Sequence, residues 1–300
     1  MELLVTGGAG FIGSHLVDRL VRLGHDVTVL DDLSAGKADY VNPKATFVKG
    51  SILSLDDLDK CTKGKDIVFH LAASTLVPAS IENPRHDFDV NALGTLNVLN
   101  TCVKNKIKKV IYASSGMVYG EPHHTPTDEK HPLSPLTPYG ASKLCGEIYG
   151  FSFQALYDLK FVALRIFNTY GPRLYKYVMY DFFKKLKKDP IMLEIIGDGE
   201  QVRDYCYIDD VVDSFLLALD CKENDVFNVA AGSPVKINYI AKLMCDILKV
   251  SPKFKYTDYW IGDIKTMTAD VKKIKSLGWN PKTKFEDGLK KTVEWFKTTT

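Results

Sequence analysis

The first half of the chain alternates short β-branched runs with stretches of helical period. Strand-like runs fall at Glu2–Val5, Asp26–Leu30, Thr46–Val48, Asp66–His70, Lys109–Ala113 and Phe161–Ile166. Between them, apolar residues recur at helical spacing over Ile12–Leu23, Leu55–Cys61, Arg85–Asn105 and Tyr139–Leu159, which predicts amphipathic helices. Strands alternating with helices predict βαβ units: an α/β, doubly wound parallel sheet with helices on both faces. After Asn168 the rhythm changes, and Pro172, Pro190 and several glycines punctuate shorter elements. The run from Phe182 to Lys188 reads as an amphipathic helix with a solvated basic face. Val226–Val229 is strand-like and a candidate to return to the sheet, and Phe285–Phe296 has the pattern of a final helix. We therefore expect one large lobe and a smaller C-terminal α/β lobe.

Composition narrows the class. Lys and Arg number 39 against 37 Asp and Glu in 300 residues, a net charge of +2. That balance disfavours a nucleic-acid binder working through a general basic surface, and equally a polybasic membrane surface. No apolar stretch approaches the length of a transmembrane helix. A strand beginning at Glu2 leaves no room for a signal peptide, so a cytoplasmic chain complete at Met1 is expected. The six cysteines are scattered without a CxxC pair, which reads as small buried side chains in a reducing compartment. His123, His124 and His131 lie in a Pro-rich stretch without Cys or carboxylates at ligand spacing, and no metal is expected.

Two local patterns carry chemistry. Residues 5–13 read Val-Thr-Gly-Gly-Ala-Gly-Phe-Ile-Gly, between a predicted strand and a predicted helix. Gly7, Gly10 and Gly13 allow a tight turn and let backbone N–H groups at the helix start approach a pyrophosphate. Asp31 ends the second strand, where a carboxylate accepts hydrogen bonds from a ribose and repels a 2′-phosphate; no Arg follows closely, which favours NAD over NADP. In the second pattern, Tyr139 and Lys143 stand at i and i+4, on one helix face. An ammonium near a phenol favours the phenolate, and Tyr needs that help to act as a base near neutrality. Ser115 follows the Lys109–Ala113 strand, at the carboxyl end where ligands bind. It is placed to hydrogen-bond a substrate hydroxyl. Together these suggest oxidation and reduction of an alcohol with NAD.

With these motifs the chain resembles the extended short-chain dehydrogenases/reductases of the NAD-dependent epimerase/dehydratase family, and within it the nucleotide-sugar 4-epimerases of the archaeal UDP-glucose (UDP-galactose) type. The likeness runs through Thr6–Leu16, Asp31–Ser34, His70–Ala73, Asn91–Thr95, Ser114–Gly120, Tyr139–Lys143, Leu164–Arg173, Gly197–Asp210 and Gly262-Asp263. It implies a Rossmann NAD-binding domain over residues 1–167 plus about 205–231, and a nucleotide-sugar-binding domain over about 168–204 plus 232–300. It implies NAD contacts from Gly7, Gly10, Phe11, Ile12, Gly13, Asp31, Asp32, Leu33, Ser34, Gly36, Ser51, Ile52, Leu71, Ala72, Ala73, Asn91, Ala113, Tyr139, Lys143 and Phe167. Ser115, Gly116, Met117, Tyr139, Asn168, Arg203, Asp263 and Met267 would meet a UDP-sugar, with Asn168 and Arg203 on the diphosphate. Catalysis would rest on Tyr139, Lys143 and Ser115, inverting carbon 4 through a transient 4-keto sugar. A homodimer, built on the helices near 85–105 and 140–158, is implied too.

Departures from the family pattern matter. Related dehydratases and decarboxylases carry a Glu at the place of Met117, next to Gly116, so the acid for elimination or decarboxylation is missing. Ser51 replaces an Asp facing adenine. Trp260 stands where many relatives have a phosphate-binding Arg, which shifts diphosphate binding onto Arg203, with Arg173 or Lys176. Met267 stands where a small residue admits an N-acetyl group and a Tyr blocks it. UDP-N-acetylglucosamine and UDP-glucuronate therefore remain alternative substrates. A net oxidoreductase is a further alternative. A non-catalytic sensor on this fold is expected to have lost Tyr139 or Lys143, and both are present.

Overall fold

The computed structural model describes residues 1–222, 224–259 and 263–299. The first half contains β1 (Glu2–Thr6), α1 (Phe11–Arg22), β2 (Asp26–Asp31), β3 (Thr46–Lys49), α2 (Leu55–Thr62), β4 (Ile67–His70), α3 (Val77–Glu82), α4 (Pro84–Asp87), a π-helical turn (Phe88–Leu93), α5 (Gly94–Lys104), β5 (Lys109–Ser115), α6 (Pro138–Leu156) and β6 (Lys160–Ile166). The second half contains β7 (Asn168–Tyr170), α7 (Tyr177–Lys188), β8 (Met192–Ile196), β9 (Val202–Arg203), β10 (Tyr205–Tyr207), α8 (Ile208–Asp220), β11 (Val226–Val229), β12 (Val235–Lys236), α9 (Ile237–Leu248), β13 (Lys253–Thr257), β14 (Thr266–Met267), α10 (Lys272–Ser276) and α11 (Phe285–Thr299).

The chain divides into two compact units. The first comprises residues 1–121, 132–166 and 212–227, and the second comprises 122–131, 167–211 and 228–300. The main sheet has seven strands in the order β11-β6-β5-β4-β1-β2-β3. The pairings from β3 through β6 are all parallel. A parallel sheet is covered on both faces, so its strands read as unbroken apolar runs. Leu3, Leu4, Val5, Val29, Val68, Phe69, Val110 and Ile111 are accordingly fully buried. This is the doubly wound α/β sheet that the alternating pattern predicts, and β11 takes its place at the edge beside β6.

Local sequence explains where the helices begin. Ser54 accepts a hydrogen bond from the Asp57 amide at the start of α2, and Thr137 does the same for Gly140 at the start of α6, with Pro138 in the first turn. Such side chains satisfy helix-end amides that otherwise have no partner. Gly150 lets α6 lie directly on the sheet, since a Cβ there would stand 2.1 Å from Phe161 Cζ. The expected helix over 85–105 runs continuously from Pro84 to Lys104, with one π-helical segment inside it. In that segment Asn91 directs its side chain to Ser74, Asp87 and Ser142. A π turn inserts one residue into the α-helical register and marks functional positions often.

In the second unit β10 pairs with β7, β9 lies between β12 and β14, and β8 pairs with β13. α7 buries Met179, Phe182, Phe183 and Leu186, leaving the expected basic face outward. Residues 205–211 and 122–131 cluster with this second unit rather than with the first. The reason for 205–211 is local: β10 is tied to β7 through Tyr205–Asn168 and Tyr207–Tyr170. The Tyr170 ring meets those of Tyr205, Tyr207 and Phe285.

Candidate active site

In the first unit the glycine turn is a backbone cradle. The Gly7 amide donates to Leu30 O at 2.9 Å, and the Gly10 amide donates to Gly7 O at 3.1 Å. A Cβ at Gly13 would stand 2.1 Å from Gly7 O, and one at Gly7 would stand 2.6 Å from Ala72 N. Gly10 differs: a Cβ there would meet only Gly7 O, at 3.2 Å, so its outer side is open. α1 begins at Phe11 and Ile12 with no side-chain cap on its first amides and no acid in its first turn. Those amides and the helix dipole suit a diphosphate. The residues present therefore fit a dinucleotide.

Asp31 stands beside this turn. Its Oδ2 accepts from the Ala9 amide at 2.9 Å and its Oδ1 from the Leu33 amide at 2.8 Å. Burial pushes its carboxyl above the usual carboxylate range, and the two amides oppose that shift. Asp32 accepts from the Ser34 amide, and Leu33 takes a positive φ of 64°. Gly36 packs against the Ala9 backbone. Leu71 and Ala72 both donate backbone bonds to Thr6, and Ser74, just past Ala73, donates to Asn91. Ile52 packs under Gly94. Ser51 is engaged locally, its amide on Asp57 and its hydroxyl accepting from Leu53.

α6 carries Tyr139 and Lys143 over the end of β5. The Tyr139 amide donates to Ser80 Oγ at 3.2 Å. Lys143 Nζ donates to Ala113 O at 2.8 Å and lies 4.8 Å from the Tyr112 ring centroid. Only 3% of Lys143 is exposed, and burial pulls its ammonium down to about 8, while Asp87 and Glu147 raise it. Ser115 ends β5 and its Oγ accepts from the Met117 amide at 3.2 Å, capping the short 3-10 turn that holds Gly116 and Met117. Neighbouring Ser114 instead donates to Glu147. His70 is buried between Thr6 and Thr95, and burial draws its imidazole down to about 3, so it is neutral.

The second unit gathers the other candidates. The Asn168 amide donates to Asp204 O, and the Asp204 amide donates to Met267 O. Met267 pairs with Arg203 in register. Arg203 Nη2 is ion-paired to Asp263 at 2.6 Å, and its Nη1 donates to Val202 O and Lys265 O. Its carboxylate partner is thus Asp263, rather than either sequence neighbour, Asp204 or Asp209. Asn168 Oδ1 is buried with no hydrogen-bond partner among the described residues. Phe167 is buried beside Asn168, its amide on Val229 O. Burial lowers the Lys176 ammonium, and Arg173 holds a positive φ of 69°. Trp260 and Gly262 lie outside the described residues.

The buried carboxylates Glu147 and Asp87 escaped the sequence reading. Arg165 donates to Glu147 through Nε and Nη2, the latter at 2.7 Å, and through Nη1 to the Tyr119 hydroxyl. It is a buried structural cation rather than a substrate ligand. Glu147 stands four residues past Lys143, so the i+4 rule alone would have placed it on the catalytic face. Asp87, four residues before Asn91, gave no such signal. His131 Nε2 accepts from the His123 amide, with the His123 and His124 rings close by. Among the described residues no group of three or more His, Cys, Asp or Glu could hold a metal ion.

The doubly wound sheet, the glycine cradle and the Tyr–Lys pair define a dinucleotide-dependent α/β enzyme. The model of the NAD-dependent epimerase/dehydratase family matches residues 3–230. The chain is 41% identical to a putative UDP-glucose 4-epimerase of Methanocaldococcus jannaschii, over 98% of each chain. Among solved structures, UDP-glucose 4-epimerase of Thermotoga maritima with UDP-glucose superposes at a TM-score of 0.96 with 39% identity, covering 100% of this chain and 99% of that one. The UDP-N-acetylglucosamine 4-epimerase of Methanobrevibacter ruminantium, in complex with UDP-N-acetylmuramic acid, does so at 0.93 with 38% identity, with the same coverage. The chain belongs to the NAD-dependent epimerase/dehydratase family, as its motifs imply, and NAD is its cofactor.

Proposed function

We infer that the chain is a UDP-hexose 4-epimerase, interconverting UDP-galactose and UDP-glucose through a transient 4-keto sugar. What supports this is Tyr139 and Lys143 at i and i+4 on α6, with the Lys143 ammonium on Ala113 O of the strand that ends at Ser115, and Met117 where an acid would serve elimination or decarboxylation. The glycine cradle, Asp31 and Lys143 would hold NAD, which when bound supplies the two-electron chemistry at sugar carbon 4. Tyr139, held as phenolate by the Lys143 charge, takes the proton of the 4-hydroxyl directly or through Ser115. The keto sugar turns over about its diphosphate, and Tyr139 returns the proton on the other face. No net oxidation results.

Arg203 suits the diphosphate. Its bonds to Asp263, Val202 O and Lys265 O leave Nε and part of Nη2 for phosphate oxygens, the geometry in which Arg excels. Asn168 brings a buried amide with one end unsatisfied; turned over, it presents NH2 to an anion. Met267 is half-buried and flexible, a side chain that excludes neither a plain nor an N-acetylated sugar. The reading includes a cytoplasmic location and a homodimer. Among the described residues no helix is long and apolar enough to cross a membrane.

A substrate panel tests it. Purified protein with UDP-galactose, UDP-N-acetylglucosamine and UDP-glucuronate in turn should convert UDP-galactose without added reductant. Tyr139→Phe should lower kcat at least about a hundredfold while NAD stays bound. Chromatography showing no interconversion of any of the three would remove the epimerase reading, and turnover confined to an N-acetylated or uronate sugar would reassign the substrate.

A further inference from the structure

Lys143 is buried, yet its hydrogen bond goes to a neutral carbonyl, Ala113 O. A buried ammonium needs a counter-charge nearby to stay protonated. Two buried carboxylates of the same unit act on Lys143, Glu147 and Asp87. Glu147 is taken by Arg165, which binds both of its oxygens. Asp87, at the end of α4, is 1% exposed, and both of its hydrogen-bond donors are neutral: Ser142 Oγ at 2.6 Å and Asn91 Nδ2 at 3.0 Å. Ser142 is the residue before Lys143, so this bond fixes Asp87 against the very turn of α6 that carries the ammonium.

We propose that Asp87 is the counter-charge of Lys143, a positioning residue that keeps the lysine protonated while it acts on Tyr139. The proposal rests on the reading of Tyr139 and Lys143 as the catalytic pair. Other groups facing Lys143 do not supply the charge. Tyr112 on β5 is pushed well above its usual value by burial and is neutral, as is His70 on β4. Arg165 on β6 is consumed by Glu147 on α6. Around Asp87, Asp89 is bound to Arg85 at 2.8 Å, and His86 is the neighbouring titratable group on α4. Burial raises the Asp87 carboxyl, with Ser142 and Lys143 opposing that shift.

The test is a pH titration of the holoenzyme followed by ultraviolet difference spectra, with Tyr139→Phe identifying the Tyr139 tyrosinate band. Asp87→Asn should move that band up by about one pH unit, since the lysine charge is lost earlier. The basic limb of kcat should move to lower pH in the same variant. Asp87→Glu, which keeps the charge, should titrate as wild type. Coupling is reciprocal, so Lys143→Met should raise the Asp87 carboxyl pKa, read by carbon-13 NMR in a chain with Asp87 intact; that reading decides if Asp87→Asn does not fold. Wild-type titration in Asp87→Asn, an equal shift in Asp87→Glu, or an unmoved Asp87 in Lys143→Met overturns the proposal. A wild type that epimerises nothing, with the tyrosinate shift still present in Asp87→Asn, leaves the counter-charge standing and removes the functional reading alone.

Discussion

Two glycines of one turn do different work at the scale of a single residue. Gly13 faces inward, where a Cβ would collide with the Gly7 carbonyl oxygen at 2.1 Å. Gly10 has an ordinary φ of −78°, and a Cβ there would meet only Gly7 O, at 3.2 Å, a contact that a small backbone shift relieves. Gly13→Ala should therefore destabilise the fold by about 3 kcal/mol through forced backbone movement. Gly10→Ala should cost under about 1 kcal/mol of stability yet weaken NAD about tenfold or more, because its methyl occupies the approach of the diphosphate. Denaturant unfolding and NAD titration of the stripped protein separate the two, and equal NAD loss without destabilisation in Gly13→Ala would contradict the assignment. These glycines were legible in the sequence because spacing alone encodes them, as it does Tyr139 and Lys143. Asp87 was not, because its meaning comes from Ser142, 55 residues away in sequence. Arg203 was legible as a candidate, but its bond to Asp263 crosses 60 residues, beyond any local pattern.

Elements were legible where one residue type repeats at one period; what a long-range side chain adds to them was not. The helix over 85–105 is such a place: Asn91 reaches Ser74 and Ser142, and the register yields with a π turn. Lys109 is another. It opens β5 and reads as a strand residue, yet its Nζ donates to Ala218 O at 3.0 Å, Leu219 O at 2.8 Å and Cys221 O at 2.6 Å. Those carbonyls end α8, where a cation complements the helix dipole. Lys109→Met should therefore lower stability by about 2 kcal/mol. Lys108→Met removes an exposed pair with Asp66 and should cost less than about 1 kcal/mol. Thermal melts of both variants check this, and equal losses would mean that Lys109 contributes only surface charge.

For the whole molecule, the sequence indicated two lobes, and the pairing of β7 with β10, which periodicity does not show, puts residues 205–211 in the second compact unit. The proposed homodimer belongs to this scale as well. In the first unit Phe88 is 52% exposed, Ile148 59% and Leu156 75%, with Ile81, Leu93 and Tyr149 also exposed. They lie on α3, α6 and the π turn, elements that pack on one another. Scattered apolar side chains on a surface need no explanation, but a group of this size on adjoining helices is the signature of an interface. A two-fold dimer would place the same patch of each copy against the other. Light scattering after size exclusion should give twice the chain mass at micromolar concentration. Phe88→Asp combined with Ile148→Asp should give monomers that still bind NAD, because the glycine cradle and Lys143 stand on other faces of the unit's elements. A monomeric wild type would remove the dimer, and a double variant that stays dimeric would move the interface elsewhere.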